Sequence, residues 1–498
     1  MPPAVTPGRL SFGTLDRLPA AVRRPGYDID ALRCGILHLG IGAFHRVHQA
    51  AYTDAALAAG GGDWGIIGAS LQSPGIRDRL EPQDFLYTLV AKSAAGTEHQ
   101  VIGAVREVVF AADDRARLPA LIAAPQVRIV STTVTEKGYC HDPATGRLNA
   151  SHPDIVHDLA RPHTPRTAVG ILATGLIRRS LGGAPITVLC CDNLPHNGAT
   201  LRGLVLDFAA RIDAEAAAFI EREVAFPSTM VDRIAPAATE AFIAETAAAL
   251  GLDDAAPVQC EDFTQWVIED RFAGGRPAWE VMGAEFVSDV APYEEMKLRL
   301  LNGSHSMLAY LGYLGGFTTI YEVMADGSHV GLMRAMMREE VAPTLALAGR
   351  YDLAGYQEAL VRRFTNPALA HRCYQICMDG SQKLPQRLLG TIRANLAAGR
   401  PVRRLALAVA AWMRYVGGAD EKGAKIVVQD PLAGLLAERV AAAGGSPAAI
   451  VDNLLAVSAV FGSDLPQSAD LRRDIVAALT MLMAEGSRAT VRRYASEG

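Results

Sequence analysis

In the first third of the chain, apolar residues fall in short, nearly unbroken runs. Gly35-Ile-Leu-His-Leu39, Trp64-Gly-Ile-Ile-Gly-Ala-Ser-Leu71, Val127-Arg-Ile-Val-Ser-Thr132 and Ile186-Thr-Val-Leu-Cys-Cys191 have strand length and are rich in β-branched residues. Such runs suit strands covered on both faces. Helix-forming stretches separate them: His48 to Ala59, Asp114 to Ala124 (with Pro119 inside the pattern) and Ala168 to Leu181. Strands alternating with helices predict an α/β fold with a parallel sheet and crossovers. The Pro- and Arg-rich residues before Asp30 read as an extended lead-in, and Ala59-Gly-Gly-Gly-Asp63 as a loop. After about residue 285 helical patterns take over: Tyr293–Leu311, Leu332–Ala348, Tyr356–Phe364, Ser381–Ala398, Val402–Val416, Leu432–Ala443 and Ala469–Glu485. This change places a domain boundary near Ala284–Val287.

One helical stretch carries chemistry. Glu294-Glu-Met-Lys-Leu-Arg-Leu-Leu-Asn-Gly-Ser-His-Ser306 contains a K-x4-N-x2-H pattern. At roughly 100° per residue, Lys297, Asn302 and His305 fall on one face within an arc of roughly 140°. Their neighbours Leu298, Leu300, Leu301, Met307, Leu308 and Leu311 are apolar nearly all round, the mark of a buried helix. Buried Lys and Asn need partners or a task. An amine can take a proton from an alcohol, an amide can donate to an oxygen that becomes negative, and an imidazole can orient either.

Composition narrows the class. The chain has 498 residues, half of them hydrophobic and 20% charged, with a net charge of −5. That is an ordinary globular balance, and without a basic block or basic-aromatic interleaving nothing points to nucleic acid. Seven scattered cysteines argue for a reducing compartment rather than a disulfide framework, and the absence of CxxC and HExxH patterns argues against zinc. Cys373 and Cys377 stand four apart without an obvious third ligand. The N-terminus lacks signal-peptide features, and the apolar run Leu405 to Met413 is too short to span a bilayer. A cytoplasmic protein without a membrane partner is expected.

Gly40-x-Gly42 follows a strand and precedes a helix, where backbone N–H groups can meet a pyrophosphate. The third glycine of the full fingerprint is replaced by His45. The acidic residue expected after the second strand is also missing, since Ser70, Leu71, Gln72 and Ser73 stand there. These residues leave NAD and NADP open, with Arg77 or Arg79 able to meet a 2′-phosphate. Asp192 and Asn193 follow the strand ending at Cys191, where α/β proteins bind ligands. Asn193 is either a second amide donor or part of a turn before Pro195.

The motifs together resemble the polyol-specific long-chain dehydrogenase/reductase family, which includes mannitol 2-dehydrogenase and fructuronate reductase (mannonate oxidoreductase). The matching segments are His38-Leu-Gly-Ile-Gly-Ala-Phe-His-Arg46 with His48-Gln49, Gln83-Asp-Phe-Leu-Tyr-Thr88, Val134-Thr-Glu-Lys-Gly-Tyr139, Cys191-Asp-Asn193, Thr229-Met-Val-Asp-Arg-Ile234, Gln265-Trp-Val-Ile-Glu-Asp270, the K-x4-N-x2-H stretch and Asp379-Gly-Ser-Gln-Lys-Leu-Pro-Gln-Arg387. The resemblance implies a Rossmann-type nicotinamide-dinucleotide-binding domain over 1–285 and a mainly α-helical substrate-binding and catalytic domain over 286–498. It implies NAD held at Gly40, Ile41, Gly42, Ala43 and Phe44, and no metal. Lys297 becomes the general base, Asn193 and Asn302 the pair that steadies the alkoxide, and His305 a positioning group. Asp232, Lys383 and Gln375 fall at positions near the substrate.

The expected reaction is NAD-dependent oxidation at C2 of a linear hexitol, D-mannitol to D-fructose first, with D-mannonate oxidoreductase as the alternative. A non-catalytic nucleotide-binding protein is a distant third reading. Asn193-Leu-Pro-His-Asn-Gly198 resembles the mannitol enzymes. Gln375 stands where those enzymes carry Arg, and Ser381-Gln-Lys-Leu-Pro-Gln-Arg387 resembles fructuronate reductases. Lys383, Arg372 or Arg387 could then meet a carboxylate. A free lysine, at about 10.4, is a poor base at neutral pH, and burial beside a cationic ring would lower that value. Glu294 either relays the proton to solvent or forms an exposed ion pair. The partner is a small polyol or sugar acid, and a monomer suffices.

Overall fold

The computed structural model describes residues 8–93, 95–142, 145–367 and 371–496. The chain divides into two compact units, Met1–Ala291 and Pro292–Gly498. The first unit contains, in chain order, β1 (Cys34–Leu39), β2 (Gly65–Ser70), β3 (Tyr87–Ser93), β4 (Gly96–Ile102), β5 (Val105–Phe110), β6 (Ile129–Thr132), β7 (Ile186–Cys190), β8 (Val224–Ala225), β9 (Thr229–Asp232), β10 (Val258–Glu261), β11 (Gln265–Glu269) and β12 (Glu285–Val287).

Six strands form an all-parallel sheet in the order β5-β2-β1-β6-β7-β8. Alternation along the strands divides the core into two layers. Leu37, Leu39, Val130 and Val188 face one hydrophobic cluster, while Ile36, Ile66, Ile129 and Leu189 face the other. Coverage of both faces accounts for the unbroken apolar runs in the sequence. From β1 the sheet grows outward through β2 and β5, then resumes on the other side with β6. The β1/β6 boundary is therefore the switch point, where the ends of parallel strands leave a crevice.

The sequence pattern did not reveal two smaller sheets, β10-β3-β4 and β12-β11-β9. In the antiparallel β3/β4 pair, Lys92, Glu98, His99 and Gln100 interleave with the apolar residues, and much of that pair faces water. The lead-in also departs from expectation. Phe12–Arg17 is a 3₁₀ helix, and Leu10, Leu18, Val22 and Ile29 pack in a small core with Leu86, Val101 and Leu250.

The second unit is helical. Its buried centre is Arg403–Val416, which packs on Gly303–Leu314 and Ala469–Glu485. Three of the expected continuous helices are interrupted by π turns, at Lys297–Asn302, Met336–Val341 and Pro385–Leu389. The first separates Ala291–Met296 from Gly303–Leu314, and it packs against the other two. In the third, Pro385 lacks the N–H of a regular turn. Inside the second, the Glu340 carboxylate accepts the backbone N–H groups of Arg404 and Leu405 at 2.8 and 2.9 Å, capping the central helix. Among the described residues no helix is long and apolar enough to cross a membrane.

Candidate active site

At the switch point of the first unit lies a groove of about 640 Å³. Its floor is the turn Gly40-Ile41-Gly42-Ala43, and its walls come from Ser70–Ser73 after β2 and Thr133–Thr135 after β6. Gly40 adopts φ +99°, and a Cβ there would lie 2.2 Å from the Thr133 carbonyl oxygen, so only glycine lets the turn pass so close to the end of β6. At Gly42 an added Cβ would meet nothing nearer than Gly40 O at 3.8 Å, so the floor is bare backbone. Lys137, Arg79 and Arg166 add cationic groups to the lining and Asp154 an acidic one. A bare turn with basic walls fits the diphosphate of a dinucleotide. Phe44 does not join this lining; its ring stacks on His48 with centroids 5.0 Å apart.

A buried polar network supports the floor. His38 Nδ1 lies 2.8 Å from Ser131 Oγ, which donates to Gln49 Oε1 at 2.7 Å. His38 Nε2 lies 2.8 Å from Thr133 Oγ1 and 3.2 Å from Gly40 O. The His45 ring stacks on His38 with centroids 3.5 Å apart. Burial pushes His38 down to about 3, against the milder raising effect of its bonds to Gly40 and Gln49, and holds His45 well below its ordinary range. Both rings are neutral at physiological pH.

Asp192, just past β7, accepts the N–H groups of Val134 and Thr135 at 3.0 Å each and the Tyr139 hydroxyl at 2.5 Å. It thereby ties the groove wall to the strand end that carries Asn193. Asn193 is exposed in the loop that follows. Asn197 clamps this loop to β9: its amide donates to Asp192 O and Thr229 O and accepts from Thr229 N–H. Asp232 closes β9, buried and opposite Gln265.

In the second unit, Lys297 is 9% exposed at the start of the first π turn and Asn302 ends it. The expected regular helix is thus corrected: a π turn bonds residues five apart, the separation of Lys297 from Asn302. His305 stacks on Phe364 at 5.0 Å and lies 5.4 Å from His371. Its Nε2 is enclosed with no hydrogen-bond partner among the described residues. Burial first, then His371, Arg387, Arg363 and Lys383, keep His305 well below its ordinary range. Arg387 Nη1 donates to Ser306 Oγ at 3.0 Å, and its backbone passes so close to Gly303 that a Cβ there would lie 2.8 Å from Arg387 O. Lys383 Nζ donates to Met378 O at 2.5 Å, and burial followed by Arg387 lowers its pKa. Gln375 and Arg372 are exposed on the neighbouring segment.

The sequence reading did not single out Thr133, Lys137, Arg166 or Asn197. Thr133 stands just past an expected strand at the sheet's ligand-binding edge, and Lys137 and Asn197 lie inside segments that carry the family resemblance; Arg166 had no such signal. Among the described residues no group of three or more His, Cys, Asp or Glu side chains is arranged to hold a metal ion.

The parallel sheet with a glycine turn at its switch point defines a Rossmann-type domain. Residues 34–281 match the mannitol dehydrogenase Rossmann domain and residues 289–483 the mannitol dehydrogenase C-terminal domain, so the chain belongs to the mannitol dehydrogenase family. It is 49% identical to the uncharacterized oxidoreductase YeiQ of Escherichia coli (strain K12), over 91% of this chain and 92% of that one. It is 46% identical to the D-mannonate oxidoreductase of the same organism, over 94% and 97%. Among solved structures, Pseudomonas fluorescens mannitol 2-dehydrogenase in ternary complex with NAD and D-mannitol is 42% identical, with a TM-score of 0.85 over 98% of this chain and 100% of that one.

Proposed function

We propose that the protein is an NAD-dependent oxidoreductase that interconverts the secondary alcohol of D-mannonate and the ketone of D-fructuronate, at the carbon that is C5 of the first and C2 of the second. The observation that carries the sugar-acid reading is Arg387. This largely buried guanidinium bonds Ser306 and pairs with no carboxylate among the described residues. Lys383 and Arg363 add positive charge around the same imidazole. Asp379 and Asp430 act on Lys383 electrostatically, and Asp430 already accepts from the Ser381 backbone and hydroxyl and from Leu432 N–H. A partly buried guanidinium with no carboxylate partner among the described residues, as Arg387 is, suits a substrate carboxylate better than a neutral hydroxymethyl end. The 46% identity to a D-mannonate oxidoreductase supports the same order.

In the oxidation direction Lys297 takes the proton from the D-mannonate C5 hydroxyl, on the carbon that becomes the C2 ketone of D-fructuronate. Asn302 and Asn193 donate to the oxygen as it becomes negative, and His305 holds the substrate in register. Asp232 and Gln375 bond substrate hydroxyls, and Lys383 adds to the positive charge that meets the carboxylate. The nicotinamide ring supplies the hydride acceptor. Gly40, Ile41, Gly42 and Ala43 hold the diphosphate, and Phe44 supports that turn through its stack on His48.

D-mannitol and D-fructose form the second reading. It is supported by the 42% identity to a mannitol 2-dehydrogenase and by the Asn193–Gly198 loop. The seven free cysteines support a cytoplasmic setting, and a monomer contains every residue invoked.

The test compares kcat/KM for D-fructuronate and D-fructose with NADH. D-fructuronate should win clearly. Arg387→Met should lower its kcat/KM about 10- to 100-fold, the worth of a charge-assisted bond. If D-fructose wins, the hexitol reading replaces this one.

A further inference from the structure

NAD-selecting Rossmann sites end their second strand with a carboxylate, which bonds the ribose hydroxyls and repels a 2′-phosphate. Here β2 ends at Ser70, and Leu71, Gln72 and Ser73 follow. All four line the groove, together with Ile76 and Arg79. The Ser70 hydroxyl donates to Ser73 O at 2.5 Å and draws this segment into a tight turn of neutral donors. Asp78 and Asp113 both pair with Arg77. Arg77 is therefore already occupied. Arg79 donates only its Nε, to Gly75 O at 3.1 Å, and pairs with no carboxylate among the described residues. The two arginines that the sequence left as equals are distinguished by their contacts.

We infer that this end of the groove accepts a phosphate on the adenosine ribose, with Arg79 as its cation and Gln72 and Ser73 as neutral donors, so that the protein takes NADP(H) as well as NAD(H). This rests on the groove being the dinucleotide site. A guanidinium meets a phosphate through two parallel bonds, whereas an unmodified ribose gains little from it.

The experiment is direct titration of the purified full-length protein with ADP and with 2′,5′-ADP by calorimetry, followed by kcat/KM for NADH and NADPH. The wild-type protein should bind 2′,5′-ADP at least as tightly as ADP. Arg79→Ala should lower the affinity ratio of 2′,5′-ADP to ADP about tenfold, and Arg79→Lys should restore part of it. Ser70→Asp, which puts back the missing carboxylate, should lower the same ratio by a further large factor. Circular dichroism of each variant confirms that it folds. Binding of ADP with 2′,5′-ADP at least a hundredfold weaker overturns the inference and leaves the dinucleotide reading standing. So does an unchanged ratio in Arg79→Ala. Binding of neither nucleotide removes the dinucleotide reading, and the inference with it.

Discussion

Asp192 Oδ1 accepts the backbone N–H of Thr135 at 3.0 Å, while Thr135 holds φ +66° and ψ 161°, a region otherwise left to glycine. Such strain amounts to about 1–3 kcal/mol and persists only where surroundings enforce it. The Asp192 carboxylate holds the Thr135 N–H in that conformation, and Thr135 lines the groove. Asp192→Ala should therefore raise KM for NADH several-fold while leaving substrate KM nearly unchanged. Thr135→Gly in the same chain should recover part of the loss, because glycine adopts that backbone without strain. A double variant no better than Asp192→Ala would show that strain is not the issue.

Lys297→Ala should lower kcat about 10²- to 10⁴-fold, the usual contribution of a positioned acid or base. NADH affinity, read by fluorescence titration, should hardly move. Wild-type turnover in this variant would end the assignment of Lys297 as base.

The neutral His38 ring makes stability depend on pH in a definite direction. The folded protein binds no proton there until pH falls to about 3, whereas the unfolded chain binds one from its ordinary value of 6.5. Stability from this group is therefore complete above the ordinary value and lost as pH falls between the two. The slope reaches about 1.4 kcal/mol per pH unit. His45 shifts in the same direction and adds to the effect. Urea unfolding at pH 7.5, 6 and 5 should show the decline, and His38→Asn should flatten it. An identical slope in the variant would contradict the account.

Gly303→Ala adds a methyl group 2.8 Å from Arg387 O. The two π turns must then separate, carrying Arg387 away from Ser306. The expected result is a loss of kcat/KM for D-fructuronate larger than that for D-fructose. Equal losses would place Arg387 outside the determinants of substrate choice.

The sequence disclosed those parts of this architecture that repeat or stand close together. The four apolar runs became the core strands β1, β2, β6 and β7, because burial on both faces leaves no room for polar alternation. The K-x4-N-x2-H set was legible because its members lie within nine residues of one another. The π turn inside it was not, since its leucines suit an α-helix equally well and only tertiary contacts distinguish the two. The hold of Asp192 on Thr135 joins positions 57 residues apart, which no local pattern encodes. Arg387 could be suspected from resemblance, but its lack of a carboxylate partner is a property of the folded unit.

The first π turn also bears on how this protein can change. A π turn holds about one residue more than an α turn. Deleting a single residue between Leu298 and Leu301 would let the segment relax into an ordinary helix with its backbone bonds intact. Asn302 and His305 would then stand four and seven residues beyond Lys297, about 40° and 20° to either side of it around an α-helix, so amine, amide and imidazole would still share one face. The extra residue is thus absorbed where it sits: the segment can gain or lose one position between the lysine and the amide without turning the three groups away from one another, a tolerance to length that a plain helix does not offer.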